Sequence, residues 1–428
     1  MLLVVSAFIV LLLIGMPVAF AIGISGALFF IQNLNLPFTI PIQLTVSQTQ
    51  NFALLAVPLF ILSGNFMNQA GITERLLTLS TVLTGHMRGG LAQVTIALST
   101  LMGGVSGSCI ADAAMETRIL GPEMLKRGFT KGYTAGIISF SSLITPIIPP
   151  GIGLILYGTV GQVSIGRLFA AGILPGLFLW IALAITVSLT AKRRGYKPER
   201  ECIARPKEII VAAWSSLWAV LFPVFLLVGL RFGIFTPSEI GAFAVVYAIT
   251  VGVFAYKQLK WATIKEALEG STVDIGAVMF IIAMSGIFGY GIVWDRVPET
   301  ISNFMLGISE NPYVVMLLII AFLLIAGCFV DGSVLIIMLT PIFLPIALDL
   351  GLDPVHFGLI FIIAITIGNF TPPVGSAMYA VCSILECPVG DYTLESLPFL
   401  FTVSAVCVLL IFVPDIVLLI PDWIFGKA

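Results

Sequence analysis

The sequence predicts an all-α polytopic membrane protein built as an inverted repeat, with two re-entrant helical hairpins and two broken helices. Three observations carry this reading: the composition, the placement of the basic residues, and Gly, Ser and Pro landmarks that recur in the same order in both halves. The 428 residues are 59% hydrophobic with a mean hydropathy of +1.12, and only 10% are charged, against about 25% in soluble domains. So few charges cannot cover a soluble surface. At about 20 apolar residues per spanning helix, the length holds on the order of a dozen spans. The apolar runs are long and continuous, unlike the alternating segments of about ten residues that build outer-membrane barrels, which places the chain in the bacterial inner membrane. A soluble enzyme and a secreted disulfide scaffold are thereby excluded, and a net charge of −2 gives no case for nucleic acid as a partner. The six cysteines are scattered without a CxxC pair, and two histidines, His86 and His356, are too few for a typical metal or haem site.

Orientation follows from the basic residues, which favour the cytoplasmic side in short loops. Residues 1–73 carry no charged side chain, so the start lacks the basic region of a signal peptide and reads as a retained span. Lys126, Arg127 and Lys131, with Arg88 nearby, mark one cytoplasmic loop. Lys192, Arg193, Arg194, Lys197, Arg200, Arg205 and Lys207 mark the strongest one. This basic connector, 191–208, divides the chain into a first repeat, 1–190, and a second, 209–428. Lys257, Lys260 and Lys265 mark a third cytoplasmic segment, while the stretches holding Glu299, Glu310, Asp349 and Asp353 carry no Lys or Arg and read as periplasmic. The stretches 72–86 and 257–269 are amphipathic and read as helices lying on the cytoplasmic face.

In the first repeat, a hairpin is expected at about 89–120. The run 91–104 is too short to cross a hydrocarbon core of about 30 Å at 1.5 Å per residue, and it ends in Gly103-Gly104-Val105-Ser106-Gly107-Ser108, residues suited to a tight turn. Asp112 and Glu116 follow that tip on one helix face and read as structural, paired with Arg118 or Lys126. A broken helix is expected at about 130–161, because Thr145-Pro146 and Pro149-Pro150-Gly151 interrupt an apolar stretch and each proline removes a backbone donor.

The second repeat repeats these marks. Gly332-Ser333 lies 225 residues after Gly107-Ser108, and Thr371-Pro372 lies 226 after Thr145-Pro146. A hairpin is expected at about 313–348, a broken helix at about 355–386, and a final span after it. The charge pattern flanks the first hairpin with cytoplasmic loops and the second with periplasmic ones, so the two units face opposite ways, as in many secondary transporters. Breaks at membrane depth are tolerated only where the freed carbonyls are buried in protein or line a polar cavity. Such carbonyls, with Ser, Thr and Asn oxygens, are hard ligands suited to Na⁺. The hairpin tips add Ser106, Gly107, Ser108, Gly332 and Ser333. Asp331 either meets substrate or coupling ion, or caps the helix that begins near Ser333; both roles are compatible. Arg296 either meets an anionic substrate or anchors at the interface. Asp274 reads as a cap at the start of a span. Neither HExxH, GxSxG nor a Walker A loop is present, so no catalysis and no ATP hydrolysis by this chain is expected.

The motifs Gly103-Gly104-Val105-Ser106-Gly107-Ser108, Ile148-Pro149-Pro150-Gly151, Asp331-Gly332-Ser333 and Thr371-Pro372-Pro373-Val374-Gly375 together resemble the large membrane subunit of tripartite ATP-independent periplasmic (TRAP) transporters, across essentially the whole chain. The resemblance implies a Na⁺-coupled elevator-type importer of organic acids. It also implies two protein partners, a separate small four-helix membrane subunit and a periplasmic substrate-binding protein, besides the lipid bilayer. It implies two or more Na⁺ ions. One would lie on Ser106, Gly107, Ser108, Thr145, Pro146 and Pro149, the other on Gly327, Asp331, Thr366, Asn369 and Thr371. A small anionic substrate would sit between the tips near Ser108, Asp331 and Ser333, with Arg296 as a further candidate. Gly151 stands where many relatives carry Ser. Sialic acid is the first substrate expected, a C4-dicarboxylate the other. The alternative is a Na⁺/dicarboxylate symporter of related architecture that needs no binding protein; an intramembrane enzyme and a channel fit the residues less well.

Overall fold

The structure, a computed structural model, describes residues 2–37 and 39–427, and every regular element among them is helical. The chain opens with α1 (Leu2–Leu13), α2 (Val18–Gln32) and α3 (Thr39–Thr49), then α4 (Ala56–Gln69) and the amphipathic α5 (Ile72–Thr84). A hairpin of α6 (Leu91–Gly103) and α7 (Cys109–Lys126) follows. Next come α8 (Lys131–Ser142) and α9 (Ile152–Val160), separated by an irregular proline-bearing segment, and the long α10 (Ile165–Arg194).

After an irregular connector, α11 (Pro206–Ser215) and α12 (Leu217–Arg231) meet at a 61° bend. Then come α13 (Pro237–Thr250) and the 34-residue α14 (Trp261–Trp294), followed by the short α15 (Val297–Ile308). The second hairpin is α16 (Pro312–Gly327) and α17 (Gly332–Asp349). The second interrupted pair is α18 (Pro354–Asn369) and α19 (Ser376–Leu385), and α20 (Val389–Phe412) and α21 (Pro414–Phe425) close the chain.

Among the described residues, six helices are long and apolar enough to cross a membrane, or seven if α11 and α12 form one bent span. That corrects the dozen spans the length arithmetic suggested. The arithmetic assumes full-length helices, whereas here much of the apolar sequence sits in pieces of 10–17 residues. A second correction concerns 257–269. It is not a separate surface helix: residues from Trp261 onward are the first turns of α14. No proline follows Trp261 within that helix, and Gly270 alone does not break it.

The packing has two parts. Helices α1 and α2, α4, α13 and α14 pack on one another; in the other part, α6 and α7 pack on α8, and α16 and α17 pack on α18. The two hairpin units also exchange partners, since α9 packs on α17 while α19 packs on α7. Close backbone approach makes this possible. A Cβ on Gly327 would stand 2.7 Å from the Ile365 carbonyl oxygen, and one on Gly368 2.6 Å from the Gly327 Cα. Within apolar surroundings such small residues let helices gain dispersion contacts that larger ones would block. The connector is tied to the ends of α5 and α7: the Glu199 and Arg200 amides donate to the Gly85 carbonyl (2.8 and 3.0 Å), and Arg127 pairs with Glu199 at 2.7 Å.

Caps set where the inner helices begin. Asp353 accepts from the Val355 and His356 amides at 2.7 and 3.1 Å, satisfying two of the orphan donors at the start of α18. Asp353→Ala is expected to cost about 1–2 kcal/mol of stability and Asp353→Asn much less. Thermal unfolding of the detergent-purified protein checks this; equal midpoints for the two variants would show that the cap contributes nothing.

Candidate functional site

A cavity of about 480 Å³ lies where the two hairpin tips meet the first interruption and the end of α18. One wall is the first tip, Ser106, Gly107 and Ser108, with Pro146 of the first interruption and Gly153 of α9. The second is Asp331, Gly332 and Ser333 with Thr366 and Asn369 of α18. The third comes from α4 and α14 and carries Asn65, Asn68 and Asp274.

The first tip forms because Gly107 adopts φ +65°, a left-handed conformation that favours glycine. Ser108 then caps α7, accepting from the Ala111 amide at 3.5 Å. The tip is wedged against the first interruption: the Ile152 amide donates to the Gly107 carbonyl at 3.4 Å. The second tip is built on the same plan with a carboxylate. Asp331 caps α17, its Oδ1 accepting from the Ser333 amide at 2.9 Å, and it faces the cavity as well. Asp331 is thus a helix cap that also lines the cavity. The Asn369 amide stitches this tip to α18. With its side-chain amide turned to the orientation that its neighbours' donors and acceptors require, its nitrogen donates to the Gly327 and Val330 carbonyls (3.1 and 3.3 Å) and its oxygen accepts from the Gly332 amide at 3.3 Å.

Behind the first tip lie two fully buried carboxylates. Ser106 donates to Asp112 Oδ2 at 2.5 Å, and Ser99 lies 2.8 and 2.9 Å from the two Glu116 oxygens. This corrects the expected pairing with Arg118 or Lys126. Asp112 and Glu116 point inward to hydroxyls, while Lys126 reaches the exposed Glu123 at 3.8 Å. Among the described residues, Asp112 Oδ1 has no hydrogen-bond partner.

Ser106, Gly107, Ser108, Pro146, Asp331, Ser333, Thr366 and Asn369 are brought together around the cavity. Thr145, Pro149, Gly327, Thr371 and Arg296 do not line it. Thr145 is buried with its hydroxyl toward the Ser99 carbonyl at 3.4 Å. Thr371 donates to the Ile367 carbonyl within its own turn at 2.7 Å. Gly327 and Pro149 are packed behind the surface. Arg296, 77% exposed at the start of α15, lies 3.7 Å from Glu299. Two cavity residues, Asn65 and Asn68, are not singled out by the sequence, and a third, Asp274, stands in a different place from the one expected. Asn65 and Asn68 sit three apart on α4, a spacing that puts both on one face of a mostly apolar helix. Asp274 lies well inside α14 rather than at its start, so it is no cap; it is a carboxylate aimed at the cavity. Chemically, the lining offers hydroxyl, amide, carbonyl and carboxylate oxygens, a donor set that suits a hard monovalent cation.

The family profile described as tripartite ATP-independent periplasmic transporter, DctM component, matches residues 5–416. The sialic acid TRAP transporter large permease protein SiaM of Vibrio cholerae is 35% identical over 417 residues, covering 97% of each chain. The 2,3-diketo-L-gulonate TRAP transporter large permease protein YiaN of Escherichia coli is 32% identical over 411 residues, covering 96% of each. Among solved structures, the YdaH transporter of Alcanivorax borkumensis is similar in fold, with a TM-score of 0.62 at 14% identity over 90% of this chain and 89% of that one.

Proposed function

Because this chain belongs to the family of the DctM component of tripartite ATP-independent periplasmic transporters, a multi-pass permease of the inner membrane and not an enzyme, we propose that it imports an organic acid driven by Na⁺. A periplasmic binding protein delivers the acid, and a separate small four-helix subunit braces the large one in the bilayer. The observation that carries the reading is the convergence of both hairpin tips and α18 on one cavity, where a largely apolar lining gathers its hydroxyl, amide and carboxylate oxygens at the tips, α18 and the α4–α14 wall. One Na⁺ lies between the first tip and first interruption, held by Ser106, Gly107, Ser108, Thr145, Pro146 and Pro149. The second lies between the second tip and second interruption, held by Gly327, Asp331, Thr366, Asn369 and Thr371. Cation binding there neutralises Asp331 and joins each tip to its helix break, so that a loaded site is also a closed one.

The halves 1–190 and 209–428 act as opposed repeats. The hairpins with α8–α10 and α18–α21 form the moving unit, and α1–α4 with α12–α14 the frame, so the cavity lies between what moves and what stays. Alternating access follows as an elevator stroke of the first past the second. Sialic acid and 2,3-diketo-L-gulonate appear in the names of relatives at nearly equal identity, so identity alone does not choose between acids.

The test is uptake into proteoliposomes holding this chain and its small subunit. Labelled N-acetylneuraminate is expected to accumulate only with binding protein outside and an inward Na⁺ gradient. Accumulation with Na⁺ alone would replace this reading by a binding-protein-independent symporter. Uptake indifferent to Na⁺ would remove the coupling ion.

A further inference from the structure

We infer that the cavity selects a monoanionic, polyhydroxylated acid over a dicarboxylate, and that the α4–α14 wall makes the selection; this rests on the Na⁺-coupled transport reading above. The first argument is charge. Among the described residues that line the cavity there are two carboxylates, Asp274 and Asp331, and neither Lys, Arg nor His. Two Na⁺ ions at the tips would balance those two carboxylates. A substrate with one carboxylate then adds a single uncompensated charge. A dicarboxylate adds two, and the second must lie away from the tips with no cation to meet it, which is costly wherever water is excluded.

The second argument is hydrogen-bond polarity. The Asn65 amide nitrogen is engaged by Ser271 Oγ at 3.0 Å and lies 3.4 Å from Asp274 Oδ2. That arrangement leaves the Asn65 amide oxygen and Asp274 Oδ1 as acceptors, and among the described residues nothing donates to either. Asn68 accepts from Thr73 at 3.5 Å through its oxygen, which leaves its amide nitrogen as a donor. A wall of two acceptors and one donor is matched by hydroxyl groups, which both donate and accept. An ionised carboxylate only accepts, so it meets Asp274 and Asn65 acceptor to acceptor. Asp274 is exposed and Asn65 and Asn68 are half-buried, so water meets them in the empty site; a ligand that displaces this water without offering hydroxyls leaves those groups unpaired and is rejected.

The test is equilibrium binding to the complex of this chain with its small subunit in lipid nanodiscs, in Na⁺ buffer at neutral pH. The probes are N-acetylneuraminate and gluconate against succinate and malate. At least one polyhydroxy acid is expected to bind tenfold or more tighter than either dicarboxylate. Asp274→Asn is expected to narrow that ratio at least threefold, chiefly by improving the dicarboxylates. Asn68→Ala should weaken the polyhydroxy acids and leave succinate unchanged. Because the first comparison uses the unaltered chain, it stands whether or not a variant folds. Succinate or malate binding as tightly as both polyhydroxy acids would overturn the inference and leave Na⁺-coupled transport intact. A ratio unmoved by Asp274→Asn would remove the α4–α14 wall as the selector. Failure of all four acids to bind in Na⁺ would overturn this inference, while the uptake assay above decides the transport reading separately.

Discussion

Asp331→Asn is expected to fold normally and to lose Na⁺-coupled uptake at ordinary Na⁺ concentrations. Asn is about as good an N-cap as Asp, so the bond now made by Asp331 to the Ser333 amide at 2.9 Å survives the change, and α17 still starts at Gly332. What disappears is the negative charge at the second tip, where the remaining polar groups, Ser333, Thr366 and Asn369, are neutral. Two unit charges about 4 Å apart interact by about 4 kcal/mol at an effective dielectric of 20. Forfeiting even a third of that weakens cation binding by about tenfold. The Na⁺ concentration for half-maximal uptake should therefore rise at least tenfold while the thermal midpoint stays within error. Asp331→Ala removes cap and charge together and should lower both. An unchanged Na⁺ dependence in Asp331→Asn would confine this residue to capping.

The pair of variants separates two readings that the sequence alone held side by side, and the reason it could not choose is general. Residues that break helices leave local marks. Prolines at 146, 149, 150, 372 and 373 and glycines at 107 and 332 state where regular structure must stop, so the helix–turn–helix units and the all-helical membrane class are legible along the chain. What a side chain meets across the fold is not written locally. Asp112 and Glu116 had charged neighbours in sequence, yet their helix face turns them to Ser106 and Ser99. Asp274 stood where a span was expected to begin, yet the helix starts thirteen residues earlier at Trp261, which puts its carboxylate into the cavity wall. The amphipathic 257–269 segment misled for a related reason: polar early turns resemble a surface helix until the apolar continuation is seen as the same helix. The number of full-length spans was overstated because apolar length was converted to spans as though no helix stopped halfway.

Gly107→Ala is expected to be the most damaging single-methyl change at the site. Two separate costs fall on one atom. At φ +65° an L-residue pays about 1–2 kcal/mol for the left-handed backbone. The new Cβ would also stand 2.2 Å from the Pro150 carbonyl oxygen, a backbone atom that cannot swing aside as a side-chain tip would. Overpacking of this kind costs about 1–3 kcal/mol, so the sum is about 2–5 kcal/mol, enough to push the tip off the first interruption and open the set of oxygens around Ser106, Ser108 and Pro146. Gly128→Ala supplies the control: its φ is +86° but nothing lies within 4 Å of the added carbon, so it pays the backbone cost alone. The difference between the two variants isolates the tip-to-break contact. Gly107→Ala should lower the thermal midpoint further than Gly128→Ala and reduce Na⁺-driven uptake at least tenfold, while Gly128→Ala retains most of its uptake. Equal losses in both variants would mean that the first tip is not wedged against the break, and that the oxygens of the first proposed Na⁺ site are not held together by this contact.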